Sequence, residues 1–207
     1  MKEWLNFDWT PEVISFLGIL FFIAFGSYAL FVQGRKIWKN KSGLSVSVTW
    51  TFIFFFMFLA YPIIGAERQN TLLFWQGVFR VLFYVPILVG LYKFKGFTRK
   101  EIVLARILFL MIFIMIEYPF TGEFIYTAIN LFGVFGIFAQ GRLMKEEKGS
   151  GVVSPFLLFV YATNILFWLW YTYQVKDLFL FVNTAFFLFA YAYTILMWIK
   201  FRCAVVA

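Results

Sequence analysis

The sequence predicts an all-α integral membrane protein: seven transmembrane helices in two parallel three-helix bundles joined by one linker helix. Three observations predict it: the length and spacing of the uncharged runs, a one-sided distribution of basic residues, and an internal duplication. Of the 207 residues 63% are hydrophobic and 25% aromatic, and only 14% are charged. A soluble domain carries roughly 25% charged residues, so this chain has too few to cover a water-facing surface.

Uncharged runs cover residues 13–34, 42–66, 124–141, 149–175 and 178–199, and two more, 69–92 and 102–116, are each interrupted by one arginine. A bilayer core about 30 Å thick needs roughly 20 residues of helix, with about 17 as a lower limit. Five runs meet that length, and the interrupted pair do so with a flanking residue or two. Lipid forces backbone groups to pair within the segment, so each span is expected to be helical. The first run follows Asp8, Pro11 and Glu12 and is long for a leader h-region, so a cleaved signal peptide is not expected.

The net charge of +8 reflects topology rather than nucleic-acid binding. Arg35, Lys36, Lys39 and Lys41 lie between helices one and two, and Lys93, Lys95, Arg99 and Lys100 between three and four. Arg142, Lys145 and Lys148 lie between five and six, and Lys200 and Arg202 follow seven. The other side carries Lys2, Arg68 and Lys176 among the acids Glu3, Asp8, Glu12, Glu67, Glu117, Glu123 and Asp177. By the positive-inside rule this thirteen-to-three asymmetry puts the N-terminus outside and the C-terminus in the cytoplasm, with attraction to anionic lipid as a secondary effect.

"FVQGR" at Phe31 returns as "FAQGR" at Phe138. With one residue inserted in the following loop, Ser42-Gly43 falls on Ser150-Gly151. Further on, "LFWQGVFRVLFY" from Leu73 falls on "LFVNTAFFLFAY" from Leu180, pairing Gln76 with Asn183 and Tyr84 with Tyr191. Helices one to three thus match five to seven. One connecting helix lets both triplets run the same way, as in transporters built of parallel repeats with a midplane site between them. The expected units are 1–96, a linker helix in 97–119, and 120–207.

With a Gln-plus-basic loop leading to S-G, this plan resembles the PQ-loop superfamily, which includes the SWEET sugar transporters. Asn164, Trp168, Tyr171 and Asp177 follow the SWEET spacing in the second repeat, and Asn183 stands one residue early for the family's last-helix asparagine. Met57, Tyr61 and Gln76 occupy the matching places of the first repeat. That repeat also resembles the membrane domain associated with lipid A biosynthesis, through Trp50, Tyr61, Gln76, Gly77, Arg80 and Tyr84. Where the SWEET pattern has a proline before the loop glutamine, this chain has Val32 and Ala139, while Pro155 is retained. The resemblance implies facilitated diffusion of a sugar or sugar-like solute through a cavity between the repeats.

Polar residues at membrane depth are costly, so function is their default explanation. Gln76 and Arg80 share a face of helix three at i, i+4 spacing, and Asn183 sits at the matching depth of helix seven. The candidate substrate contacts are Gln76, Asn183, Trp168, Asn164, Arg80, Tyr61 and Met57. Amides donate and accept together, which suits hydroxyl-bearing ligands. Arg80 has no acid at its depth and pulls toward an anionic ligand, since a guanidinium grips carboxylate or phosphate in a fork; a structural, water-solvated arginine is the competing account. Arg106 is expected to snorkel.

An enzyme is not expected, because the chain has no His, no mid-depth carboxylate, and one cysteine, Cys203, at its tail. Histidine-ligated metal and internal disulfides are excluded on the same counts, and no cofactor is called for. The expected partners are a small-molecule solute and the bilayer; a homo-oligomer is compatible with the sequence. Two functions stay open: transport, and binding of a lipid phosphate or cargo without transport.

Overall fold

The computed structural model describes residues 11–174, 176 and 178–202, apart from the side chains at 12, 119 and 179. Lys2, Glu3, Asp8, Asp177 and Cys203, which enter the charge and motif patterns above, lie outside the described residues.

The described residues form seven α-helices and no strand: α1 Pro11–Asn40, α2 Val48–Glu67, α3 Thr71–Phe94, α4 Arg99–Glu117, α5 Gly122–Glu146, α6 Pro155–Gln174 and α7 Leu178–Phe201, with a 3-10 turn before α5. Their starts follow ordinary capping chemistry. Ser47, Asn70 and Thr98 accept from the first-turn N–H groups of α2, α3 and α4, and Thr98 with Glu101 completes a capping box. Pro155 opens α6, where a missing N–H costs nothing.

Six helices are long and apolar enough to cross a membrane; α4 is the exception among the seven. It carries Arg99, Lys100, Glu101, Arg106 and Glu117 and buries only Leu108, Ile112 and Met115. Large apolar side chains such as Phe109, Leu110 and Phe135 are exposed around the bundle, as a lipid-facing surface requires. The chain is therefore a multi-helix protein of membrane-spanning character.

The principal packed pairs are α1–α3, α2–α3, α1–α6, α5–α7, α6–α7 and α2–α5, with α4 against α2 and α5. Exchanging α1, α2, α3 for α5, α6, α7 leaves the first six pairs unchanged. The most buried helix is α2, which packs against α3, α4 and α5. Pro62 lies inside α2 and Pro86 inside α3. The Phe58 carbonyl, which Pro62 cannot pair, faces Gly77 of α3, where any Cβ would lie 2.6 Å from that oxygen. Glycine is what lets the two backbones approach there.

The repeated glutamines act across the two halves. Gln33 of α1 donates through Nε2 to Val152 O (3.2 Å) and accepts through Oε1 from Ser154 N–H (2.6 Å), in the loop before α6. Gln140 of α5 donates to Ser45 O (2.6 Å) and accepts from Ser47 N–H (2.8 Å), in the loop before α2. These contacts correct the expected loop alignment. Ser45 matches Val152 and Ser47 matches Ser154, a constant shift of 107 residues with no insertion. Lys41 and Lys148, both at positive φ, keep the same shift, and Ser42-Gly43 therefore does not match Ser150-Gly151. The partners are backbone groups, so nothing in the loop side chains had to repeat.

The two loops also touch each other. Val152 N–H donates to Leu44 O, and Ser45 Oγ–H donates to the Glu147 carboxylate (2.6 Å) or the Gly149 carbonyl (2.9 Å). Lys95, at the end of α3, reaches Val46 O at 2.9 Å and Glu147 at 3.8 Å.

Gln33→Ala and Gln140→Ala each orphan two backbone groups, at about 1–3 kcal/mol per group. Each is expected to lower the melting temperature by about 5–15 °C, with similar sizes at the two sites. Arg142→Ala, which removes an exposed, solvent-screened i, i+4 ion pair with Glu146, should leave the melting temperature nearly unchanged. Differential scanning fluorimetry of purified variants checks this.

Candidate functional site

A cavity lies between α2 and α3 on one side and α5, α6 and α7 on the other. It runs from Arg68 and Asn70, at the α2–α3 turn, to Arg80, Tyr161 and Tyr191. Ten residues of helix separate Asn70 from Arg80, about 15 Å of rise, or about half a bilayer core. The cavity volume is about 90 Å3, room for several water molecules at about 30 Å3 each.

All seven candidate residues line this cavity: Met57 and Tyr61 from α2, Gln76 and Arg80 from α3, Asn164 and Trp168 from α6, and Asn183 from α7. Six of them pair across the halves at the 107-residue shift: Met57 with Asn164, Tyr61 with Trp168, and Gln76 with Asn183. Gln76 is 4% exposed and Asn183 8%. Gln76 Oε1, Asn164 Oδ1, Asn183 Oδ1, Trp168 Nε1 and Arg80 Nε are buried without a hydrogen-bond partner in the protein. Buried polar atoms are normally satisfied, so their concentration here singles this cavity out as the candidate site.

Arg80 is 2% exposed and stands at the cavity's inner end. Its guanidinium carbon lies 4.3 Å from the centre of the Tyr161 ring and 4.9 Å from that of Phe58. Nη2 donates to Phe22 O of α1 at 3.4 Å. Phe54 stacks on Tyr161, and Tyr161 and Tyr191 meet edge to face with ring centres 6.1 Å apart. These rings form the floor. Beyond it lie the glutamine-clamped loops, so the cavity is blind at that end. At the mouth Arg68 pairs with Glu123 at 3.0 Å.

Asn130 of α5 was missed by sequence reasoning. It accepts from the Tyr61 hydroxyl at 3.2 Å and donates to Tyr126 O at 2.8 Å. Tyr61, expected to offer a ring face, is thus also a polar tie between α2 and α5. The signal for Asn130 was its place inside an uncharged run. Its match in the first half is Ile23, so the duplication did not point to it. Tyr161, Tyr191 and Thr184 also line the cavity; Tyr191 stood out only as the match of Tyr84, and the other two were hidden among many similar residues. The sequence matches no family model and no curated protein.

A cysteine at Thr184, in a Cys203→Ala background, is expected to react with a membrane-impermeant thiol reagent at least about tenfold faster than one at Thr194, which is fully buried against Ile137 O. Equal rates would contradict a cavity with its mouth at Arg68 and Asn70.

Proposed function

We propose that this protein is a multi-pass membrane transporter that lets a small polar, sugar-like solute diffuse through the cavity between two three-helix bundles. The bundles are 1–96 and 120–207, with 97–119 as linker, as the resemblance to the SWEET-like superfamily implies. The observation that carries this proposal is one cavity with unpaired amides from matching places of both halves, open at one end and latched at the other by the repeated glutamines. The packed pairs that survive exchange of α1–α3 for α5–α7 support two copies of one unit.

In this proposal α4 is the seventh span. Its 19 residues reach about 28 Å, with Arg99, Lys100 and Glu101 in the headgroup region. The loop end, rich in Lys and Arg, faces the cytoplasm, the mouth faces outside, and the N-terminus is outside. Passage requires the loop end to part while the mouth closes. Pro62 and Pro86 leave helix carbonyls free and lower the cost of bending.

One observation favours binding without transport. Arg80 is held by two rings and a carbonyl, an arrangement that suits retention of a lipid phosphate or cargo group.

A disulfide between Ser45→Cys and Gly149→Cys should separate these functions. In proteoliposomes, oxidation is expected to reduce solute uptake at least about tenfold, and reduction to restore it. A binder shows no uptake in either state, while retaining ligand in both.

A further inference from the structure

Among the described residues two charged side chains line the cavity, Arg68 and Arg80, and Arg68 is engaged with Glu123 at the mouth. The duplication shows what packing alone asks for at position 80. Its match is Phe187, and each residue packs on a matching glycine. A Cβ on Gly26 would lie 2.8 Å from Arg80 Nη2, and one on Gly133 would lie 2.8 Å from the tip of the Phe187 ring. The same slot holds an apolar ring in one half and a guanidinium in the other, so the fold does not require the charge. A cation at this depth is costly without an anion or water beside it. Of its five N–H donors, one has a carbonyl at 3.4 Å, and Nε is buried with no partner.

The groups around it cannot exchange protons near neutral pH. Tyr84 of α3, Tyr161 of α6 and Tyr191 of α7 are phenols, which ordinarily titrate near 10. Around them, α2 offers the Phe58 ring and Tyr61, α5 offers Tyr126 and Asn130, and α1 a carbonyl. Among the described residues no acid lines the cavity. An occupant that needs a counter-charge finds it at Arg80, and none of these neighbours can carry a compensating proton.

We propose, resting on the transport function above, that the solute is a water-borne organic anion whose carboxylate or phosphate docks on Arg80 while its hydroxyls meet Gln76, Asn164 and Asn183. Its passage moves net negative charge and follows the membrane potential rather than a proton gradient. An inside-negative membrane then drives the anion outward.

The probes are glucuronate, glucose 6-phosphate and glucose, which share a ring and differ in charge. Titrated into the purified full-length protein, both anions are expected to bind at least about tenfold tighter than glucose, the effect of one charge-assisted contact. Arg80→Phe copies the residue of the other half. It should keep the melting temperature of the unliganded protein and reduce the preference to within about twofold. Gly26→Ala keeps the arginine but displaces its guanidinium and should weaken the preference too, which serves if Arg80→Phe fails to fold. Glucose bound as tightly as the anions, no binding of either anion, a preference that survives both variants, or binding of phosphatidic acid alone overturns the proposal. In proteoliposomes a potential of 100 mV set by potassium and valinomycin should concentrate a singly charged anion about 50-fold on the positive side. Equal concentrations across that potential overturn its voltage dependence. Tight anion binding with no flux of any probe instead overturns the transport function and leaves the Arg80 site standing.

Discussion

The structure depends on a pairing requirement at its loop end. Ser45, Val46 and Ser154 are buried, so the backbone leading into α2 and α6 runs through the protein interior, where each N–H and C=O must find a partner. A primary amide is the side chain that donates and accepts at once, and Gln33 and Gln140 each fill one donor and one acceptor. Each reaches the loop of the other half. The same contacts therefore hold α1 to α6 and α5 to α2, and they bring the two halves together at that end. In this structure the space between the halves opens toward the opposite end, which is where the cavity lies.

Within that frame the halves differ along the cavity wall. Gln76 and Asn183, and Tyr84 and Tyr191, keep similar chemistry at matching places. Arg80 opposite Phe187, and Asn164 opposite Met57, do not. The departures concentrate polarity on the α3 and α6 walls, around a guanidinium framed by Tyr161 and Phe58. Gly26 makes this possible at no cost in fold, because Gly133 gives the same room to a ring.

The spans and the polar pairs were legible because both follow from strong penalties: charge is excluded from long apolar runs, and amides stand out within them. The glutamine repeat was legible for the same reason, yet its partners were not. Gln33 binds Val152 and Ser154 through backbone atoms, and Gln140 binds Ser45 and Ser47 likewise, so side-chain identity carried no trace and the S-G match misled by one residue. The Arg80 and Phe187 slots became comparable only once Gly26 and Gly133 were seen against them. Asn130 obeyed the rule that exposed Gln76, but its ties to Tyr61 and Tyr126 depend on how α5 packs on α2. The duplication left helix four without a match and so marked it in the sequence as the odd helix, without revealing that it leans on α2 and α5.

In the proposed transport the cavity is reached alternately from its two ends. Spin labels at Lys41 and Lys148, across the clamped loops, and at Gln69 and Phe124, across the mouth, report both ends by double electron–electron resonance in lipid nanodiscs. The account predicts a short loop-end distance in the unliganded protein and, on adding solute, a second population with a longer loop-end and a shorter mouth distance. A single unchanged distance at both ends, with and without bound solute, would contradict it.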